Sequence, residues 1–482
     1  MRVRGPGTRT RALAALDSLA RRAAPSRGAR AAGRPPGGAV RWLALLALSG
    51  LPGALAAQGE WPTLAGMGVE YISPSGDVQV SFSGQLDVEG IWVSNSWSSL
   101  VSLEEGNDVL FSVPEDCSEC HSEGDVPLAS SEGGLGAHRL RLFTDIFLGD
   151  HVYSLVQFQT DRGSSPTDGK VKARVEQAYV RVANQRGTWG VQTGRFASPV
   201  GSYPLRHLSV VDPFLRPPLA YDYRTLMNRT VIPADETALL GWRDTPESFR
   251  RGGVPPIWDV PYQWGGMAFG NLLGIDLRAA AMNSAPSSAP DAWAFDMDRL
   301  EDPSWVVAAR ARPSIDWEVG ASWSKGPWME EAPVDSTAPT PPPGSRPADI
   351  RAYDQEILTA DVQFARGSTM VRAEVMLDRW DVPNIGDRPT ERLYNLELQR
   401  DLSPGFFAAA RLGYIDFRPL EGTEGPDGDE VEWDRDVARY EASLGYRITR
   451  NGGLILSAFQ QVQSEVADAD ANTVGLRLWW AF

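Results

Sequence analysis

Val78-Gln-Val-Ser-Phe-Ser-Gly-Gln-Leu-Asp-Val-Glu-Gly-Ile-Trp92 decides the fold. Val78, Val80, Phe82, Gly84, Leu86, Val88, Gly90 and Trp92 fall on alternate positions, with Gln79, Ser81, Ser83, Gln85, Asp87 and Glu89 between them. A strand points successive side chains to opposite faces, so this run is one long strand with an apolar face and a polar face. It exceeds the usual soluble strand of about 5–6 residues. It suits a tilted membrane-barrel strand, which needs about 9–11.

The period recurs along the chain. It predicts strands over 77–95, 138–148, 151–160, 170–184, 188–195, 263–271, 274–283, 304–312, 315–324, 353–365, 369–381, 392–401, 405–417, 431–448, 453–463 and 471–482. These are sixteen strands in an all-β, transmembrane antiparallel barrel. Tight turns at Gly149-Asp150, Asn184–Gly187, Arg366–Ser368, Leu402–Pro404 and Asn451-Gly452 alternate with long segments at 96–137, 196–262, 284–303, 325–352 and 418–430. Short turns on one rim and long loops on the other is the arrangement of an outer-membrane barrel, with periplasmic turns and external loops. Segment 196–262 is too long for a structureless connection; folded inward, it is the candidate constriction loop. The last strand carries Val474, Leu476, Leu478, Trp480 and Phe482 at alternate positions, ending on the final residue.

Residues 1–41 hold ten arginines and one acid, Asp17, followed by the short apolar run Trp42–Ala56. A basic region, a short apolar core and Ala54-Leu-Ala56 read as a signal peptide over 1–56; a start of translation at Val40 accounts for the long basic leader. The remainder, 57–482, reads as a single barrel domain. It keeps 36 basic and 61 acidic residues, a net charge of −25 against −16 for the whole chain. An acidic chain without a basic cluster is no nucleic-acid binder. No apolar stretch is long enough for a membrane helix.

The terminal strand resembles the C-terminal assembly signal of Gram-negative outer-membrane barrels. That resemblance implies the outer membrane, contact with its lipid and lipopolysaccharide, and recognition of Trp480 and Phe482 by the barrel assembly machinery. Ala178-Tyr-Val180 followed by Gly194-Arg-Phe-Ala-Ser-Pro-Val-Gly201 resembles a strand–turn–strand signature of the phosphate-selective porin O/P family, with Val200 in place of the usual Phe. It implies porin architecture over about 25 residues more than it implies a substrate. Family analogy also implies a homotrimer, since sixteen-stranded porins are commonly trimers.

If Val78, Phe82 and Leu86 face lipid, Gln85, Asp87 and Glu89 line the pore. By the same alternation Leu140, Leu142, Ile146 and Leu148 face lipid while Arg139, Arg141 and Asp145 line the pore. Lys170, Lys172 and Arg174 share the pore face of the fourth strand, and the phase break at Glu176-Gln177 marks a bulge. Clustered Arg and Lys favour anions; the plainer reading is a solvated wall of scattered charges. The external segments point the other way: 96–137 holds nine acids and no Lys or Arg, and 418–436 is also acidic. An acidic collar concentrates cations and repels anions, so phosphate selectivity does not carry over.

The one chemical motif is Cys117-Ser-Glu-Cys120-His121, which holds both cysteines of the chain. C-x-x-C-H is the c-type haem attachment pattern, two thioethers with the histidine on iron. His138 and Met67 are the nearest candidates for a distal ligand. The alternatives are a Cys117–Cys120 disulfide stiffening an external loop, or a metal site that includes the nearby acids. The motif resembles the combination found in fused cytochrome–porins of iron-oxidising bacteria, which place it before the barrel. His138, His151 and His207 are scattered and form no hydrolase constellation, so the chain is not expected to be an enzyme. The leading expectation is a porin for passive diffusion of small polar solutes or ions. Its rival is a haem-bearing barrel passing electrons to a redox partner across the outer membrane. A third reading is a structural or adhesive barrel plugged by its long loop.

Overall fold

The computed structural model describes residues 68–93, 135–162, 172–244, 253–330, 350–424, 430–464 and 471–482. The expected signal peptide, Met67, most of the 96–137 loop with Cys117, Cys120 and His121, and Lys170 lie outside these residues. In chain order the strands are β1 (Val69–Ile72), β2 (Val78–Val93), β3 (Leu135–Leu148), β4 (Val152–Arg162), β5 (Lys172–Ala183), β6 (Trp189–Ala197), β7 (Tyr262–Leu272), β8 (Ile275–Met282), β9 (Ser304–Ser314), β10 (Trp317–Pro327), β11 (Asp354–Arg366), β12 (Thr369–Trp380), β13 (Thr390–Ser403), β14 (Phe406–Phe417), β15 (Pro419–Glu424), β16 (Glu430–Glu432), β17 (Val437–Thr449), β18 (Gly452–Gln463) and β19 (Ala471–Ala481).

Among the described residues sixteen of these strands, β2–β14 and β17–β19, pair antiparallel with their neighbours, and β19 pairs with β2 to close the barrel. Closure leaves no open sheet edge and satisfies every strand from both sides, which a bilayer requires. β1 adds to the free end of β2 beside the last strand. β15 and β16 form a separate two-stranded ribbon.

The expected strands correspond to these sixteen, with three corrections. The strand expected over 431–448 begins only at Val437, because Glu430–Glu432 belongs to the β15–β16 ribbon. The loop expected over 96–137 ends earlier, since β3 begins at Leu135. The strand β1 has no counterpart among the expected elements; four residues are too few to show a period.

The exterior is apolar; the interior carries polar and charged side chains together with apolar ones, such as Phe143, Leu155 and Ile415, that belong to a buried cluster. Phe82, Leu142, Val156, Val191, Leu396 and Leu476 are among the exposed outward residues. Aromatic side chains flank them at both rims. Trp189, Trp317, Phe406, Tyr446 and Trp480 stand near the short turns, and Trp305, Tyr394, Tyr414 and Tyr440 near the long loops. Such aromatic girdles mark the two membrane interfaces. The barrel therefore crosses the membrane with strands; no helix among the described residues is long and apolar enough to do so.

Phe482 seals the seam. Its backbone exchanges hydrogen bonds with Gly84, N–H to O at 2.9 Å and O from N–H at 2.7 Å. Its ring lies where a Cβ on residue 84 would sit, at 2.5 Å. Glycine at that one outward position of β2 makes room for the terminal ring.

Candidate functional site

The chain between β6 and β7 does not stay on the surface. Val200, Leu208, Phe214, Tyr221, Tyr223, Leu226 and Ile257 are all buried, and most of them share one apolar cluster with wall residues such as Phe143, Leu155 and Ile415. The turn inward needs Gly201, whose φ is +73° and whose Cβ would lie 2.1 Å from the Tyr221 hydroxyl. The Gly201 N–H donates to Ser322 Oγ of β10 (2.9 Å) and the Ser202 N–H to Glu374 of β12 (2.7 Å). Tyr221 donates to the same Glu374 carboxylate at 3.0 Å. The resemblance run Gly194–Gly201 thus forms the end of β6 and the start of this inner segment, with Tyr179 of β5 directly across from Gly194.

Farther along, the run Pro213-Phe-Leu-Arg-Pro-Pro218 bends at Phe214–Arg216, and its prolines supply no N–H. Its carbonyls still need donors. Arg477 of β19 donates to the Phe214 and Leu215 carbonyls (2.9 and 2.8 Å). Arg411 of β14 donates to the Arg216 carbonyl (2.6 Å), and Arg439 of β17 to the Pro217 carbonyl (3.2 Å). Four consecutive carbonyls are held by three wall arginines. Each guanidinium is charge-balanced in place: Arg477 by Glu89 (2.7 Å), Arg439 by Asp222 (2.7 Å) and Arg411 by Glu441 (3.1 Å from Nε). Charged donors to backbone oxygen in a dry site make strong hydrogen bonds.

Arg411 also belongs to a ladder. Arg372, Glu397, Arg411 and Glu441 are directly opposed on β12, β13, β14 and β17. Opposite charges on facing cross-strand positions attract. Arg206 of the inner segment joins the ladder through Glu397 at 2.8 Å.

The other wall is open. Between the inner segment and β8–β13 lies a cavity of about 620 Å³ that reaches Gly274 at the short-turn rim. Arg206, Arg310, Arg312 and Arg372 line it together with Asp276, Glu318, Asp361 and Glu374. Arg310 is held by Asp361 (3.0 Å) and Glu318 (2.7 Å), and Arg312 by Glu318 (2.7 Å). The lining is therefore strongly charged and close to balanced.

The residues singled out on β2–β5 occupy a different sector. Gln85, Asp87 and Glu89 are buried on the inward face, as are Arg141 and Asp145, while Arg139 and Arg174 are half-buried. Gln85 and Arg141 both donate to Asp87 (2.9 and 3.4 Å), and Tyr153 donates to Asp145 (2.6 Å). Arg174 pairs with Asp161 (2.7 Å) and Glu176. Lys172 is in register with Asp161. The cavity between the inner segment and β8–β13 is lined by other residues. The bulge expected at Glu176-Gln177 is present: Gln157 faces Gln177 and Phe158 faces Val175, which leaves Glu176 as the extra residue. His138 shares the outward face of β3 with Leu140 and Leu142.

His207 sits inside. Its Nδ1 donates to the Pro204 carbonyl (2.8 Å) and its Nε2 accepts from the Tyr262 hydroxyl (2.9 Å), which fixes the neutral tautomer. Burial, with the positive charge of Arg141 nearby, pushes it down to about 3. It packs the inner segment and is charged at no physiological pH.

Sequence reasoning missed the arginines at 206, 310, 372, 411, 439 and 477. Most were signalled by the same alternation: Arg372 and Glu374 stand between Val371, Ala373 and Val375. No local pattern could show which of them would meet the inner segment.

Solved structures share this fold. An anion-selective porin from Comamonas acidovorans aligns with a TM-score of 0.50 at 10% identity, over 84% of this chain and 100% of that one. OmpF of Salmonella typhi in complex with daunomycin aligns at 0.48 with 9% identity, over 86% of this chain and 100% of that one. The outer membrane channel DcaP of Acinetobacter baumannii aligns at 0.45 with 11% identity, over 86% and 99%. No protein-family model and no curated protein matches the chain. The chain is a sixteen-stranded antiparallel transmembrane β-barrel resembling known outer-membrane porins. At this identity the likeness is one of fold.

Proposed function

We propose that this barrel is a passive channel of the Gram-negative outer membrane, admitting small polar solutes and ions between the inner segment and the wall of β8–β13. The observation that carries the reading is the charged cavity of about 620 Å³ on that side, facing a sector where the inner segment is bound down by arginines. Water-filled lumens lined by fixed charges of both signs pass hydrated solutes and bias ions by local field. The aromatic girdles and the apolar belt set the barrel in its lipid, and Trp480 and Phe482 are its contact for the assembly machinery. Nothing in the reading calls for catalysis. Assembly as a homotrimer belongs to the same reading. We attach no phosphate preference to the Gly194–Gly201 run, because the external segments are acidic. The test is reconstitution of the refolded chain in a planar bilayer: discrete conductance steps support the channel, and a current-free bilayer with inserted protein overturns it.

A second reading rests on Cys117-Ser-Glu-Cys120-His121. Haem bound there by two thioethers, with His121 on iron, would make the barrel an electron conduit to a redox partner. Protein purified from a host with haem-attachment machinery is expected to show a Soret band that Cys117→Ser abolishes; a colourless product of unmodified mass overturns this reading.

A further inference from the structure

Near the long-loop rim two carboxyl groups stand against each other inside the barrel. Asp378 of β12 and Glu391 of β13 are direct cross-strand partners, and both are 0% exposed. Their outward neighbours Arg379 and Arg392 are exposed, so this level lies beyond the apolar belt marked by Val375 and Leu396. Gln355 donates to Asp378 Oδ2 (2.7 Å), the Arg379 amide also faces Asp378, and the Trp380 indole donates to Glu391 Oε2 (3.2 Å). The second oxygen of each, Asp378 Oδ1 and Glu391 Oε1, finds no donor.

The charged groups around the pair do not neutralise it. Arg388, whose positive charge also reaches Asp378, pairs with Glu356 (3.1 Å) and Asp381 (2.7 Å). Asp434, a third buried acid, accepts the Leu226 N–H (3.1 Å) and the Arg435 N–H (2.8 Å) and adds negative charge. Two carboxylates in contact at a dry site cannot both ionise. The oxygens left without a donor therefore sit on facing residues of neighbouring strands.

The pair is wired to the inner segment. The Gln355 amide that donates to Asp378 also donates to the Pro256 carbonyl (2.8 Å), and its oxygen accepts the Ser287 N–H (3.3 Å). Pro256 lies on the return limb of the inner segment, and Ser287 on the loop after β8. We propose that Asp378 and Glu391 form a proton-held latch: one shared proton fastens the inner segment and the β8–β9 loop to the wall, and its loss as pH rises loosens them and changes conductance. At low pH the proton is present and the latch closed. At high pH two buried negative charges repel and draw in water.

The latch rests on the channel reading for its electrical readout, so a second readout is independent of it. In the refolded full chain, infrared difference spectra are expected to show a protonated-carboxyl carbonyl band near neutral pH that titrates away as pH rises. Asp378→Asn and Glu391→Gln should each abolish it. Single-channel conductance should change over the same pH range in the wild type. Glu391→Gln should keep the neutral-pH conductance throughout, since its amide can donate to Asp378 and still accept from Trp380. The absence of the band at neutral pH, or an unaltered conductance profile in Glu391→Gln, overturns the latch. A band that titrates in a barrel carrying no current at any pH supports the shared proton and sinks the channel reading instead.

Discussion

The wall of β14, β17 and β19 and the wall of β8–β12 are built from the same material and do opposite things. Both carry inward arginines at alternate positions with acids across the strand. On the first wall, Arg411, Arg439 and Arg477 reach the carbonyls of a proline-rich run and are consumed by it. On the second wall, Arg310 and Arg312 meet Asp361 and Glu318 and then open space. Inward charge is therefore not a signature of a pore. It becomes one only where the lumen has nothing else to offer it.

The largest test of that contrast is Arg439→Ala. It removes the guanidinium paired with buried Asp222 and one holder of the proline-rich run, and breaking a buried ion pair costs about 3–5 kcal/mol. The unfolding midpoint of the refolded barrel in urea should fall by a corresponding amount, and conductance should rise as the inner segment loosens. An unchanged midpoint would mean the two walls are equivalent. Next is Gly201→Ala. A left-handed backbone costs an L-residue about 1–2 kcal/mol, and the added Cβ would meet the Tyr221 hydroxyl. Heat-modifiable gel mobility should shift to lower temperature.

Arg312→Glu probes the open wall. Arg312 is 71% exposed in its pair with Glu318, and exposed pairs are worth about 0–1 kcal/mol. Stability should barely move, while the reversal potential under a salt gradient shifts toward cations. A loss of folding with no change in selectivity would reverse the roles assigned to the two sides.

The smallest effect concerns Asp212 of the inner segment. Burial pushes its carboxyl up to about 6, against the opposing pull of Arg411 and Arg206. A folded value above the ordinary carboxylate range means that the contribution is fully present at low pH and is lost as pH rises through about 6. Asp212→Asn should flatten that part of the stability profile, measured as the urea midpoint from pH 4 to pH 7. A profile identical to wild type would remove Asp212 from the account.

Alternation made most of the barrel readable. Val78–Trp92 and Val474–Phe482 show their two faces without any partner, and the phase slip at Glu176 announced a bulge. The β15–β16 ribbon escaped because Pro419–Glu424 and Glu430–Glu432 are short and acidic, with no alternating face. The cavity lining escaped for another reason. Asp87 and Arg372 carry the same signal, and what separates them is the inner segment lying on one sector of the lumen.

The sequence by itself determined long strands with one greasy and one polar face, because a strand's period is fixed by backbone geometry and needs no distant contact. It also determined that 196–262 must go somewhere other than the surface, because of its length. Only the tertiary structure decided where that segment lies, which arginines it consumes and which carboxyls it leaves face to face. Those outcomes depend on residues up to several hundred positions apart, such as Glu89 and Arg477. Side-chain partners inside a barrel are set by closure, and no local pattern encodes closure.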